Sequence, residues 1–217
     1  MNYLETKKQK ILASTPDYGL PKGYMAVDYL ESTSEKQWFD TGIKAASDLT
    51  VEGEWYVDRS TIADDYVIFY QGENSINLYS FGLLSYNTRS SHNWCWTIGS
   101  GRETFQNPAD HALKFHSKTT NKQCIINGVV EKTYSSNKFT SRRDIFIFGT
   151  SSSTRIKPNK GDDGTKRIYW MKIWKNRNLV RDYQPCLDSS RVACLYDRVS
   201  KETFYNKGSE AFTYGLL

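Results

Sequence analysis

Residues Lys166 to Pro185 read KRIYWMKIWKNRNLVRDYQP, two β-strands joined by a tight turn. In the first strand, alternation sets Tyr169, Met171 and Ile173 on one face, and Ile168, Trp170, Lys172 and Trp174 on the other. Asn176-Arg177-Asn178 supplies the reversal, because Asn tolerates positive φ at little steric cost. Aromatic and β-branched residues dominate, as a pleated, half-buried surface requires. The alternation predicts an antiparallel sheet with one face on a core. The other face, with Lys172 between two tryptophans, is neither fully apolar nor plainly solvated. Trp170, Lys172 and Trp174 are therefore interface candidates, to be covered by a second layer or a partner.

Short strands separated by turns recur outward from this hairpin. Upstream, LTVEGEWYV (Leu49 to Val57) sets Leu49, Val51, Gly53 and Trp55 against Thr50, Glu52 and Glu54. Strands are also predicted over 25–30, 37–41, 66–71, 75–84, 92–98, 112–116, 123–126, 129–134 and 144–149. Asn127-Gly128 is a type I′ hairpin signal, since both residues accept positive φ. Residues 151–164 form a long polar loop. Many short strands with little helix predict an all-β protein, a two-sheet antiparallel sandwich or jelly roll. Only Asn2 to Ser14 carries a helical pattern, with Leu4, Ile11 and Leu12 near one face. Pro16, Gly19, Pro21 and Gly23 then break any regular period. The expected organisation is an N-terminal arm and linker, helical or extended, over 1–23, serving docking or oligomerisation or else packing back on the domain, and one β domain over 24–217.

At 217 residues with 14% aromatic content, 15 Tyr and only 5 Pro, the chain has the composition of a β-rich globular protein. No apolar run approaches the roughly 20 residues of a membrane-spanning helix. The first 14 residues lack the long apolar region of a secretory signal, which gives the expectation of assembly in a cytoplasm. The net charge of +5 is unevenly spread. Asp28, Glu31, Glu52, Glu54, Asp58 and their neighbours make the early third acidic, whereas Arg142, Arg155, Lys166, Arg167, Lys172 and Arg177 lie in a basic later segment. Complementary solvated faces are the expectation, and nucleic acid is not. The four cysteines, Cys95, Cys124, Cys186 and Cys194, have no C-x-x-C spacing; Cys186 and Cys194 could face each other across a loop, but without a secretory signal free thiols are the expectation.

Several phrases taken in order resemble a known family. Tyr29-Leu30-Glu31-Ser32-Thr33, followed by Phe39-Asp40-Thr41-Gly42, is similar to the opening of concanavalin A-like, laminin-G-like jelly-roll domains, common in bacteriophage structural proteins and bacterial surface proteins. Ile126-Asn127-Gly128-Val129, Ile145-Phe146-Ile147-Phe148-Gly149, the hairpin with Leu179 to Cys186, and Leu195-Tyr196-Asp197 with Thr203-Phe204-Tyr205-Asn206 continue the resemblance from about Tyr24 to the C-terminus. Ser34-Glu35-Lys36-Gln37-Trp38 departs from the usual opening, with two charges and a tryptophan. The resemblance implies a two-sheet jelly roll and a role in binding or virion architecture: a tail, fibre or capsid-decorating protein, oligomeric, attached to other virion proteins through its arm. A bacterial carbohydrate-binding or adhesion module at the cell surface is the alternative.

The residues give little sign of catalysis. Glu52 and Glu54 share a strand face but lack the third acidic residue that retaining glycoside hydrolases of this architecture carry, so a glucanase-like hydrolase ranks third. His92, His111 and His116 accompany no nucleophile elbow. Asn159, Asp162 and Asp163 offer hard oxygen ligands in the long loop, which makes calcium the one candidate cofactor, though their spacing is not that of an EF-hand. For a binding module, aromatic rings with nearby amides stack on sugar faces and hydrogen-bond hydroxyls. Trp38, Asn93, Trp94 and Trp96 are the ligand-binding candidates on that ground.

Overall fold

The computed structural model describes residues 18–58, 66–72, 80–88, 91–99, 101–106, 112–135, 138–151, 156–157 and 164–217. Nineteen strands run through them. The first seven are β1 (Met25–Ala26), β2 (Tyr29–Ser32), β3 (Phe39–Ala46), β4 (Leu49–Asp58), β5 (Tyr66–Gly72), β6 (Ser80–Thr88) and β7 (Ser91–Gly99). Next come β8 (Gly101–Gln106), β9 (Ala112–Thr119), β10 (Gln123–Ile126), β11 (Val129–Thr133), β12 (Thr140–Ile147), β13 (Thr150–Ser151) and β14 (Ile156–Lys157). The last five are β15 (Lys166–Lys175), β16 (Asn178–Leu187), β17 (Ala193–Asp197), β18 (Thr203–Tyr205) and β19 (Thr213–Gly215).

These strands make an all-β, two-sheet antiparallel sandwich of jelly-roll type. The larger sheet has eleven strands in the order β11-β10-β9-β4-β15-β16-β17-β18, with β2 also on β15, β1 on β16 and β19 on β2. The smaller has six, in the order β3-β12-β5-β6-β7-β8, and β13 pairs with β14 as a separate ribbon. The strongly alternating β4 and β15 are direct neighbours near the centre of the larger sheet, where one face of each meets the core. Leu49, Val51, Trp55 and Val57 of β4 are buried, as are Ile168, Met171 and Ile173 of β15. They belong to the same core as Phe69, Phe81, Leu83, Trp96, Ile145 and Ile147 of the smaller sheet. Trp55 is fully buried: its ring centroid is 6.0 Å from Phe69 and 6.3 Å from Phe148, and its indole Nε1 donates to Ser117 Oγ at 3.0 Å. That bond satisfies a donor which would otherwise be buried unpaired.

The hairpin at 166–187 forms as the sequence predicts, but with two corrections. First, the positive-φ residues of its turn are Asn176 (φ 49°) and Arg177 (φ 69°), and Asn178 already begins β16. Second, β15 does not alternate without interruption. Opposite β4, Ile168 pairs with Trp55 and Trp170 with Glu54, so Tyr169 is an extra residue in a β-bulge. A bulge reverses the sense of alternation beyond it. Ile168 therefore points into the core with Lys166, and Tyr169 joins Trp170, Lys172 and Trp174 on the outer face. The expected hairpin at Asn127-Gly128 is present, with φ of 50° and 82° and Ile126 opposite Val129.

Elsewhere the predicted strands are found with shifted limits. Residues 25–30 divide into β1 and β2, the strand expected over 37–41 runs from Phe39 to Ala46, and the one expected over 75–84 runs from Ser80 to Thr88. β8 was not expected, because Gly99 to Gly101 reads as an end and is a reversal between two strands. The predicted helix at Asn2 to Ser14 lies outside the described residues. Residues 18–23 pack back on the domain: Leu20, with Tyr24, covers Cys186, Cys194 and Tyr196 on the outer face of β16 and β17. Tyr24 Oη lies 3.0 Å from Thr203 Oγ1, which ties this segment to β18.

Candidate functional site

Beyond the ground covered by Leu20 and Tyr24, the outer face of the larger sheet is built from β9, β4, β15 and β2. Their register sets the side chains in cross-strand rows. Lys118, Glu52, Lys172 and Asp182 make one row; His116, Glu54 and Trp170 make the next; Lys114, Tyr56, Arg167 and Glu31 make a third. Acidic positions on β4 thus sit beside basic positions on β9. Glu52 Oε1 is 3.0 Å from His116 Nε2 and its Oε2 is 3.2 Å from Lys118 Nζ, while Glu54 Oε1 is 3.3 Å from Lys114 Nζ. At the far end, Arg167 Nε donates to Glu31 Oε2 at 2.6 Å. The acidic early third and the basic later segment of the sequence meet in this last pair.

Aromatic rings fill the spaces between the charges. The Arg167 guanidinium lies 4.4 Å from the Tyr29 centroid and 4.5 Å from that of Tyr56. Burial is the chief cause pushing the Tyr56 hydroxyl up from its usual pKa, so it stays a neutral donor and acceptor. The bulged Tyr169 meets Tyr29 edge-on at 5.5 Å and carries Lys114 Nζ 3.8 Å above its ring. Trp170 lies 5.7 Å from His116, Lys172 Nζ is 5.8 Å from the Trp170 centroid, and Lys118 Nζ is 5.9 Å from that of Trp174. Such cation–π contacts hold rings in place at about 0.5–1 kcal/mol each where exposed.

The interface candidates Trp170, Lys172 and Trp174 are all on this face, and all are half-buried. Lys172 has no carboxylate within ion-pair distance among the described residues, in contrast to Lys114, Lys118 and Arg167. Along a strand rising about 3.3 Å per residue, Trp170 and Trp174 stand roughly 13 Å apart with Lys172 midway. The arrangement offers two flat apolar platforms, an ammonium group between them that pairs with no carboxylate among the described residues, and carboxylate and imidazole groups alongside. It can stack planar or ring-shaped groups and hydrogen-bond their substituents.

The ligand-binding candidates do not form a site of their own. Trp96 is fully buried in the core, so it packs the sandwich and presents no ring to a ligand; its indole nitrogen has no hydrogen-bond partner among the described residues. Trp38 is half-buried just before β3, its ring 4.6 Å from Phe146 and its main-chain NH bonded to Asn206 Oδ1 at 2.9 Å. Asn93 and Trp94 are on β7, opposite Tyr86 and Ser85, and their side chains lie outside the described residues. Asn159, Asp162 and Asp163 also lie outside them. Among the described residues no cluster of three or more His, Cys, Asp and Glu could hold a metal. Tyr29, Tyr56 and Arg167 belong to the face without being read as site residues from the sequence, and His116, considered there only among the three histidines, joins them. The alternation of β4 shows that Glu52, Glu54 and Tyr56 point the same way, but which strands flank β4 has no local signal. Searches against protein-family models and curated proteins match nothing to this chain.

Proposed function

We propose that this chain is a non-enzymatic binding module: a lectin-like jelly roll of a bacteriophage virion, in a tail, fibre or capsid-decorating protein, that attaches to a cell-surface glycan through the outer face of its larger sheet. The observation that carries the reading is the half-buried set Tyr169, Trp170 and Trp174, surrounded by hydrogen-bonding side chains on an open sheet face. Rings fixed by neighbouring strands cost little entropy to present, which favours stacking. The virion context rests on the sequence resemblance alone. The non-enzymatic reading is supported by Glu52 and Glu54, whose carboxylates are held by Lys118, His116 and Lys114.

The test is a glycan array followed by titration calorimetry on the best ligand. Trp170→Ala and Trp174→Ala should each weaken binding about tenfold or more, as truncating an aromatic anchor does, while Trp38→Ala leaves it unchanged. Absence of any glycan bound by the parent protein overturns the reading, as does binding that survives both substitutions. Attachment to the particle is tested separately. Deleting residues 1–17, which leaves the described segment from Tyr18 onward in place, should abolish incorporation into virions while circular dichroism shows the sheet retained. Unchanged incorporation would remove the docking role of the arm.

A further inference from the structure

Cys186 and Cys194 occupy directly opposed positions on the neighbouring antiparallel strands β16 and β17. Opposed residues in such a ladder have Cα atoms about 4.5 or 5.5 Å apart, and both spacings fall within the range that a disulfide spans. Their sulfur atoms are already 3.5 Å apart. Both side chains are fully buried, in a small cluster with Tyr196 that is separate from the main core. Its lid is local: Leu20 and Tyr24, from the segment that precedes β1. The hydrogen bond with Cys186, and then burial, push the Cys194 thiol far above its ordinary pKa, so in the closed site Cys194 is a protonated, unreactive thiol.

We propose that Cys186 and Cys194 are a latent cross-strand disulfide, closed by a thiol-disulfide oxidant when the segment carrying Leu20 and Tyr24 lifts from the sheet. With glutathione disulfide as oxidant, one cysteine loses its proton and attacks a glutathione sulfur. The glutathione S–S bond breaks, one glutathione thiolate leaves, and a mixed disulfide forms. The second cysteine, deprotonated in turn, attacks the protein sulfur of that mixed disulfide and releases the second glutathione. Two electrons pass to the oxidant, two protons leave the cysteines, and one S–S bond joins β16 to β17. The inference does not depend on what the outer face binds. It links the position of the N-terminal segment to the redox state of a buried pair.

The sequence provides a direct readout, because Arg181, Arg191 and Arg198 flank the two cysteines. The full chain is incubated with glutathione disulfide, alkylated, and digested with trypsin without reduction. The expected product is the peptide 182–191 joined to the peptide 192–198, with loss of two of the four thiols, and Cys186→Ser abolishes it. The double variant Leu20→Ala, Tyr24→Ala should form the bond faster by on the order of tenfold or more, since truncating the lid raises the open population. Circular dichroism checks that this variant keeps its sheet, and Tyr24→Phe, which removes the hydroxyl that bonds Thr203 and Tyr205 but keeps the ring, provides a milder second case. Joined peptides absent even from the lid variant, or disulfides formed only through Cys95 or Cys124, overturn the pairing. Equal rates in parent and both lid variants overturn the gating.

Discussion

Replacing Gly53 with alanine is expected to destabilise the sandwich by roughly 3 kcal/mol, near the upper end of what one overpacked methyl group costs. Gly53 faces the core from β4, opposite Met171. A Cβ there would stand 2.6 Å from Trp55 Cζ2 and 2.8 Å from the carbonyl oxygen of Trp170. Neither neighbour has anywhere to go. Trp55 is fully buried, packed near Phe69 and Phe148, and held by its bond to Ser117. The Trp170 carbonyl belongs to the backbone beside the Tyr169 bulge, which moves only with the ladder. For a chain of this size 1 kcal/mol shifts Tm by about 2–4 °C, so a fall of roughly 6–12 °C is expected in calorimetry. Gly53→Val should leave little folded protein. A Tm for Gly53→Ala within about 1 °C of the parent would show that the Trp55 indole yields.

Asp197→Ala should be of similar size for a different reason. Asp197 is fully buried at the end of β17. Its Oδ1 accepts from the main-chain NH of Asp182 at 2.7 Å and of Val199 at 3.1 Å, and its Oδ2 accepts from Ser200 NH at 3.1 Å. Arg181 Nε lies 3.6 Å from Oδ2. One carboxylate therefore organises the turn into β18 and anchors it to β16. Alanine leaves three amide donors without an acceptor and a mostly buried guanidinium without its counter-charge, a loss of about 3 kcal/mol or more. Asp197→Asn retains part of the acceptor set without the charge, so it should fall between parent and alanine. Equal stability of the asparagine and alanine variants in urea titration would show that charge, not hydrogen bonding, dominates.

These two residues mark how far the sequence can be read. The alternation of Leu49 to Val57 and of Lys166 to Trp174 identified two strands that prove to be neighbours near the middle of the larger sheet. Asn127-Gly128 located its hairpin, because that turn depends on two residues in contact along the chain. The Tyr169 bulge was not legible. A bulge is a mismatch between two ladders, set by Trp55 and Glu54 on a strand more than a hundred residues away. The candidate face was legible only in part for the same reason. Trp170, Lys172 and Trp174 announce themselves by period, whereas Tyr29, Tyr56, Arg167 and His116 join them through register alone. Trp96 shows the opposite limit, since a tryptophan on a short aromatic strand reads the same whether it faces solvent or core.

The sharing of β15 by two partners also constrains the order in which the chain can assemble. On the side away from β4, Lys166 to Ile168 pair with β2, and Met171 to Lys175 pair with β16. β2 is closed in turn by β19, so Glu31 stands opposite Thr213. A strand made early in synthesis therefore has no ladder on either side until segments more than 130 residues later have left the ribosome. Loop-closure entropy must be met before those contacts return any energy, which places this topology among the slow folders. The branch of the larger sheet formed by β2 and β19 can close only after β15 is made, and any nascent chain halted before β15 carries β2 without either of its partners.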